Sequence, residues 1–289
     1  MELSKIPCRF CHVINLRNAE ICKACGESLG PVNVNILSDP YFKEGLLDRL
    51  KGVMSEIQRN GKQTEADDFE VEIASEGQAV INMDMKFLFK LVNENEEYLS
   101  YQRAVEQHKR TIMSFQNDLR RCVVETSFYG FTGKNLVYAA LSVDNNGVRS
   151  YGDVSVALIT AQISQRTTVF EKNTYPLYDE LTGSGWRAGT IMPSGYSGVW
   201  EDKAVVALIK HGLQIATAKN KLNIAQVILH SDGKRHHDEF IELHIYNRVT
   251  SHTFAKVTFH KRPRSLFDNE QLQVFLDVLE NQDVELTGL

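Results

Sequence analysis

Four cysteines in two pairs, Cys8-x-x-Cys11 and Cys22-x-x-Cys25, are the residues whose spacing most directly dictates chemistry. Two intervening residues let both thiolates of a turn point at one centre. Two such turns supply a tetrahedral four-sulfur shell, the usual structural zinc site, although iron accepts the same geometry. Gly26 follows the last cysteine, where a knuckle turn calls for positive φ. The fifth cysteine, Cys122, stands alone. Paired cysteines of this kind are metal ligands of a reducing compartment rather than a disulfide framework, so a cytoplasmic protein is expected.

A second candidate lies near the other end of the chain, in Asp238-Glu239-Phe240-Ile241-Glu242-Leu243-His244-Ile245-Tyr246. Read as a strand, this segment puts Ile241, Leu243 and Ile245 on one face and Phe240, Glu242, His244 and Tyr246 on the other. The apolar face belongs in a core. The opposite face carries a carboxylate and an imidazole among aromatic rings, either as a site or as an ordinary solvated surface. His230, His236, His237, His244, His252 and His260, with Asp232, Asp238 and Glu242, also allow a metal-dependent nuclease, although their spacing follows no metal motif.

The elements that must position these residues point to an α+β protein: a small zinc ribbon, a helical middle region, and a mixed or antiparallel sheet domain with flanking helices. Residues 1–30 form the ribbon, 31–125 the helical region and 126–289 the sheet domain. Leu46, Leu47, Leu50, Val53, Met54 and Ile57 predict a helix from Phe42 to Arg59. A polar loop over Lys62–Asp68, a short strand Phe69–Ala74 and a helix around Asp84–Asn93 follow. The apolar seam Tyr98, Tyr101, Val105, His108, Ile112, Phe115, Leu119, Cys122 predicts one long helix, with Lys109, Arg110, Arg120 and Arg121 on its solvated face. Beyond it, strands are expected at Thr126–Phe131, Asp153–Thr160, Thr167–Phe170, Ile224–His230, Asp238–Tyr246 and Thr253–His260. Helices are expected at Lys134–Ser142, Trp200–Lys221 and Ser265–Leu279. The turn Ser231-Asp232-Gly233-Lys234 suits a hairpin, and the segments around Trp186–Gly189 and Pro193–Gly198 read as a long loop.

Composition narrows the classes further. The 289 residues are 43% hydrophobic and 24% charged, ordinary globular chemistry, and the net charge of -5 argues against nucleic-acid binding through the overall field. The first residues lack the apolar run of a secretory signal, and no stretch is long enough to span a membrane, so no membrane role is expected. Phosphate-binding glycine fingerprints are absent.

The cysteine spacing, with Asn15 between the pairs, is similar to the RanBP2-type finger and to short bacterial zinc ribbons. The stretch Asn15–Gly26 looks most like the latter. Such modules dock onto proteins or nucleic acids or cap a fold. His12-Val13 stands where ubiquitin-binding fingers carry Thr-Phe, which argues against that role. Lys5, Arg9, Arg17 and Lys23 against Glu2, Glu20 and Glu27 leave the ribbon near neutrality.

The order of motifs in residues 126–260 resembles the ADP-ribosyltransferase superfamily. Tyr129-Gly130 stands at the first motif, Asn135 at the early helix asparagine, Tyr151-Gly152 before the second strand, Arg166-Thr167-Thr168 at the Ser-Thr-Ser position, and Glu242 on the last strand. The resemblance implies NAD as cosubstrate, Glu242 as the catalytic glutamate, and Tyr129, Tyr151, Arg166, Thr167 and His244 as cofactor-binding residues. It further implies transfer to a macromolecular target, as in a bacterial toxin or a phage-defence effector, with the ribbon or the basic segment Lys256–Arg264 positioning that target. Two positions depart from the family: the first motif has no His or Arg, and Phe240 replaces the first glutamate of the Glu-x-Glu pair, so arginine is a disfavoured acceptor. A non-enzymatic adaptor that docks a protein or nucleic-acid partner through the ribbon remains the alternative reading.

Overall fold

The computed structural model describes residues 4–109, 115–183, 193–261 and 269–288. Two short antiparallel strands, β1 (Ile6–Pro7) and β2 (Ile14–Asn15), brace the first cysteine pair. Helices α1 (Val32–Leu37), α2 (Pro40–Arg59) and α3 (Gln63–Glu76) follow, then β3 (Gln78–Met83), α4 (Met85–Asn93), α5 (Tyr101–Glu106) and α6 (Phe115–Tyr129). A 3-10 turn leads to β4 (Leu136–Ser142), β5 (Val154–Leu158), α7 (Thr160–Ile163), β6 (Thr167–Phe170) and α8 (Thr174–Thr182). The chain continues as β7 (Ser197–Val199), α9 (Lys203–Thr217), α10 (Ile224–Ile228), β8 (Leu229–His230), β9 (Glu239–Phe240), β10 (Glu242–Tyr246), β11 (Phe254–Phe259), α11 (Asn269–Glu280) and β12 (Glu285–Thr287).

The α+β class is correct. Eight strands form one sheet in the order β12-β11-β5-β3-β4-β10-β6-β7, antiparallel at each pairing except β11 with β12. β8 and β9 form a separate hairpin around the Ser231–Lys234 turn. One face of the sheet is apolar: Ile81, Val137, Ala139, Val156, Val169, Ile241, Leu243 and Ile245 pack with Leu46 and Ile57 of α2, Phe69 and Ile73 of α3, and Ile209 of α9. Burial of such side chains is the main driving force for this layer, at about 25 cal/mol per Å² of apolar area. The opposite face is mixed. It presents Asn82, Tyr138, Glu242 and His244, and is walled by α5, α6 and α8. No helix among the described residues is long and apolar enough to cross a membrane.

Several local expectations change. Phe69, Val71 and Ile73 alternate like a strand, but Ala66, Phe69 and Ile73 share one helical face and are buried, while Val71 is 65% exposed; the segment is helix α3. The middle region also supplies a strand, β3, whose Ala79, Val80, Ile81, Asn82 and Met83 are buried on both faces in mid-sheet. β4 replaces the expected helix at Lys134–Ser142 for the same reason: Leu136, Val137, Ala139, Ala140 and Leu141 are buried irrespective of phase, as a central strand demands. The long seam helix is two helices. α5 ends at Glu106, His108 takes a left-handed φ of 57°, and residues 110–114 lie outside the described residues, as does the Arg110 reading. The expected strand Thr126–Phe131 is the last turn of α6 and the start of the 3-10 turn, and Ile224–Ile228 is helical. The readings at Trp186–Gly189, at 262–264 of the basic segment and at 265–268 of the last helix also lie outside the described residues.

Candidate functional site

The two cysteine pairs fold into matching knuckles. In the first, the His12 N–H donates to the Cys8 carbonyl at 2.9 Å and the Cys8 N–H to the Val13 carbonyl at 2.9 Å. In the second, Gly26 donates to Cys22 at 3.0 Å and Cys22 to Glu27 at 2.8 Å. The residue after each second cysteine is left-handed, Gly26 at φ 74° as its type predicts and His12 at 61°. All four sulfurs lie within 4.8 Å of one another, with Cys8–Cys25 at 3.7 Å and Cys11–Cys22 at 3.5 Å. A tetrahedral shell with bonds of about 2.3 Å has sulfur–sulfur edges of about 3.8 Å. The donor set fits a cation: Phe10 N–H donates to the Cys8 sulfur, and Ala24 N–H and the buried Asn15 amide donate to the Cys22 sulfur. Backbone donation from Cys25 and Ala24 lowers the Cys22 thiol to about 6, while, against donation from Glu27, burial and the neighbouring thiols push Cys25 up to about 12. The clustered thiols thus compete for ionisation, and a cation among them would relieve that competition. The four cysteines therefore form a cluster able to hold a metal ion.

The ribbon is fastened to the body by charge. Ser4 donates to Asp39 through its N–H at 2.8 Å and its hydroxyl at 2.6 Å, and the Arg17 guanidinium lies 3.0 Å from the same carboxylate. Asp39 also caps α2, accepting from the Tyr41 N–H at 3.0 Å. Glu20 accepts from the Tyr246 hydroxyl at the end of β10 and from Asn135 just before β4.

The mixed face of the sheet opens into a cavity of about 610 Å³. Glu242 lies in its lining, surrounded by Tyr138 of β4, Tyr175 of α8, Tyr151, and Arg120 and Arg121 of α6. Strand alternation aims Glu242 and His244 at this side, but neither is solvated: they are 6% and 1% exposed. The Glu242 Oε2 accepts from the N–H and hydroxyl of Thr174, at 2.8 and 2.7 Å, at the first residue of α8. The helix N-terminus favours a carboxylate there. His244 Nε2 donates to the same oxygen at 3.1 Å, and its Nδ1 accepts from the Tyr129 hydroxyl at 2.7 Å. Oε1 takes none of these three bonds.

The Arg121 guanidinium lies over the rings of Tyr101 at 4.5 Å, Tyr175 at 5.3 Å and Tyr138 at 5.7 Å. Behind Tyr138 sits a second buried carboxylate, Glu125, which accepts from the Tyr138 hydroxyl at 2.6 Å and from the Gln102 amide. Burial pushes the Glu125 carboxyl up to about 7, against the opposing pull of Tyr138 and Arg121. The native fold thus favours its protonated form. Its contribution to stability is full below the unfolded value of about 4.3 and is lost as pH rises through about 7. Urea unfolding of wild type against Glu125→Gln should show the difference shifting by on the order of 3 kcal/mol in favour of the variant from pH 4 to pH 8. Parallel pH curves would contradict this burial cost.

Of the residues that the ADP-ribosyltransferase resemblance assigns to catalysis or cofactor binding, Tyr151 and Glu242 line the cavity, and His236 and Asp238 of the nuclease reading line it too. Tyr129, Arg166, Thr167 and His244 are not among its lining residues. Tyr129 and His244 lie beneath Glu242. The Arg166 side chain instead donates to the carbonyls of Gln162 and Tyr246, and the Thr167 hydroxyl to that of Ile163 at 2.7 Å. Asn135 precedes a strand rather than opening a helix. Arg120 and Arg121, expected on a solvated face, are wall residues: Arg120 pairs with Asp179 and Arg121 reaches Glu125 at 4.0 Å. Thr174, Tyr138 and Glu125 carried no sequence signal beyond the helical spacing of Arg121 and Glu125. The histidine cluster is dispersed: His260 meets Ser155, His237 meets Asp232, and His244 is buried. Among the described residues, the four cysteines are the one group that brings three or more metal-ligand atoms together. No protein-family model matches the chain, and no curated protein is significantly similar to it in sequence.

Proposed function

We propose that the cavity binds NAD and that the protein is an ADP-ribosyltransferase-type enzyme acting on a macromolecular acceptor, with zinc in the knuckles. The observation that carries this reading is the carboxylate of Glu242 in the lining of a cavity walled by tyrosine rings and arginines. Tyrosine faces suit a nicotinamide or adenine ring, and Arg121 and Arg235 suit a pyrophosphate; Arg235 lies 4.8 Å over the Tyr151 ring. A volume of about 610 Å³ is in the range of organic ligand sites. Cleavage of the nicotinamide–ribose bond builds positive charge on the ribose, and a carboxylate with a fixed orientation stabilises that charge. Thr174 and His244 hold Oε2 of Glu242, which leaves Oε1 for the substrate.

Zinc suits four thiolates with backbone and amide donors around them, and when bound it supplies structure rather than chemistry at the cavity. Thiolate ligands of this kind suit a cytoplasmic setting. A second reading, an adaptor that docks a protein through the ribbon, is favoured by Phe10, Ile14, Leu16 and Ile21, which are 48–62% exposed there.

Calorimetric titration with NAD tests the pocket reading. Wild type should bind with micromolar to submillimolar Kd, and Tyr151→Ala should weaken binding about tenfold through the lost ring contact. No heat and no thermal shift with NAD would remove NAD and leave the adaptor reading.

A further inference from the structure

Glu242 has the geometry to stabilise a ribosyl cation, but its Oε2 is held by three donors as a fixed carboxylate. A transfer reaction also needs a group that takes the proton from the incoming nucleophile. The partner glutamate of Glu-x-Glu sites is absent here, since Phe240 holds that position and is buried in a small apolar cluster with Ala140 and Val148.

The structure holds a second carboxylate on the other side of Tyr138. Glu125 of α6 is 4% exposed, and its Oε1 receives the Tyr138 hydroxyl at 2.6 Å while the Gln102 amide of α5 donates to Oε2. Tyr138 lies in the cavity lining, directly across the register from His244 and next to the Ala140–Glu242 pair on β4 and β10. We infer that Tyr138 and Glu125 form a proton relay for the acceptor, Tyr138 touching the nucleophile and Glu125 taking the proton behind it. This inference rests on the NAD reading of the cavity.

The step balances without any further reactant. The nucleophile's oxygen or nitrogen forms a bond to the ribose anomeric carbon as the bond from that carbon to nicotinamide breaks, its electron pair leaving on the nicotinamide nitrogen. The nucleophile's proton passes to the Tyr138 hydroxyl oxygen while the Tyr138 proton passes to Glu125 Oε1. A concerted transfer forms no free phenolate, which burial of Tyr138 strongly disfavours. The charged and titratable groups facing Glu125 include Arg121 and Tyr129 on its own helix, Tyr138 on β4, Tyr175 on α8 and Glu242 on β10. Arg121 favours the carboxylate form and Glu242 opposes it.

NAD hydrolysis, with water as the nucleophile, tests the relay in the full-length protein. Wild-type kcat should rise with pH along a limb centred near 7 and level off above it. Glu125→Gln should lose that limb and fall about 100-fold or more in kcat, with KM for NAD changed less than threefold. Tyr138→Phe should show the same split, and Glu125→Asp should keep the limb at a reduced rate. Circular dichroism and NAD titration establish that each variant folds and binds. If wild type turns over NAD and Glu125→Gln keeps both its rate and its limb, the relay is overturned while the NAD reading stands. If wild type neither binds nor hydrolyses NAD, the reading of the cavity falls and the relay with it.

Discussion

Removing the metal will unfold residues 4–30 and leave the eight-stranded sheet folded. Purified protein should carry one zinc ion per chain by elemental analysis, and a strong chelator or Cys22→Ser should remove it. The ribbon has little else to hold it together. Its strands β1 and β2 are two residues each, and Phe10, Ile14, Leu16 and Ile21 remain exposed, so it has almost no core of its own. On the proposed zinc reading, binding free energy of about 10 kcal/mol or more, typical of structural zinc at neutral pH, becomes the folding free energy of this module. Cys22 is the most sensitive position because it is buried and its sulfur receives the Ala24 N–H and the Asn15 amide. Limited proteolysis should cut the stripped protein within the first thirty residues, while the main thermal transition moves by only a few degrees. The body keeps its own apolar layer between the sheet and α2, α3 and α9, and loses the contacts of Ser4, Arg17 and Glu20 and the Leu29 carbonyl that Asn35 reaches. A ribbon that resists protease without metal would contradict this account.

Glu242→Gln should abolish NAD turnover, by about 100-fold or more in kcat, and leave the fold intact. The amide oxygen of glutamine can still accept from Thr174 and His244, so the contacts that anchor β10 to α8 survive. What disappears is the negative charge in the cavity lining. Alanine would be a poorer test, because it leaves the buried Thr174 N–H and His244 ring without their acceptor, at a cost of about 1–3 kcal/mol for each unsatisfied group. A rate equal to wild type in the glutamine variant, with an unchanged melting temperature, would remove Glu242 from the reaction.

The parts of this molecule that were legible in sequence are those whose signal is local. Two Cys-x-x-Cys turns specify their own geometry within four residues each. The alternation from Ile241 to Tyr246 located the core face of β10 and the polar face opposite it. That alternation could not tell a solvated face from a second buried one, because Glu242 and His244 are covered by α1, α6 and α8, whose contacting residues lie 68 to 211 positions away. The helical surface at Arg120 and Arg121 raises the same ambiguity: a face turned to a cavity of about 610 Å³ reads like one turned to bulk solvent. In α3, period 2 and period 3.6 overlap. Phe69-Glu70-Val71-Glu72-Ile73 satisfies both periods, and burial of Ala66 decides for the helix. In β4, burial on both faces erases the period altogether.

The position of β3 has a consequence for the order in which the molecule can assemble. β3 emerges first and pairs with β4 and β5 on either side, both contributed by the first 158 residues. Each of those neighbours then waits for a strand made late: β4 for β10 and β5 for β11. A growing chain therefore holds a three-stranded sheet with two open edges until Tyr246 completes β10, and one of them stays open until Phe259 completes β11. Such non-local pairings slow folding. During synthesis those bare edges are the surfaces most exposed to mispairing, and the strand carrying Glu242 covers one of them.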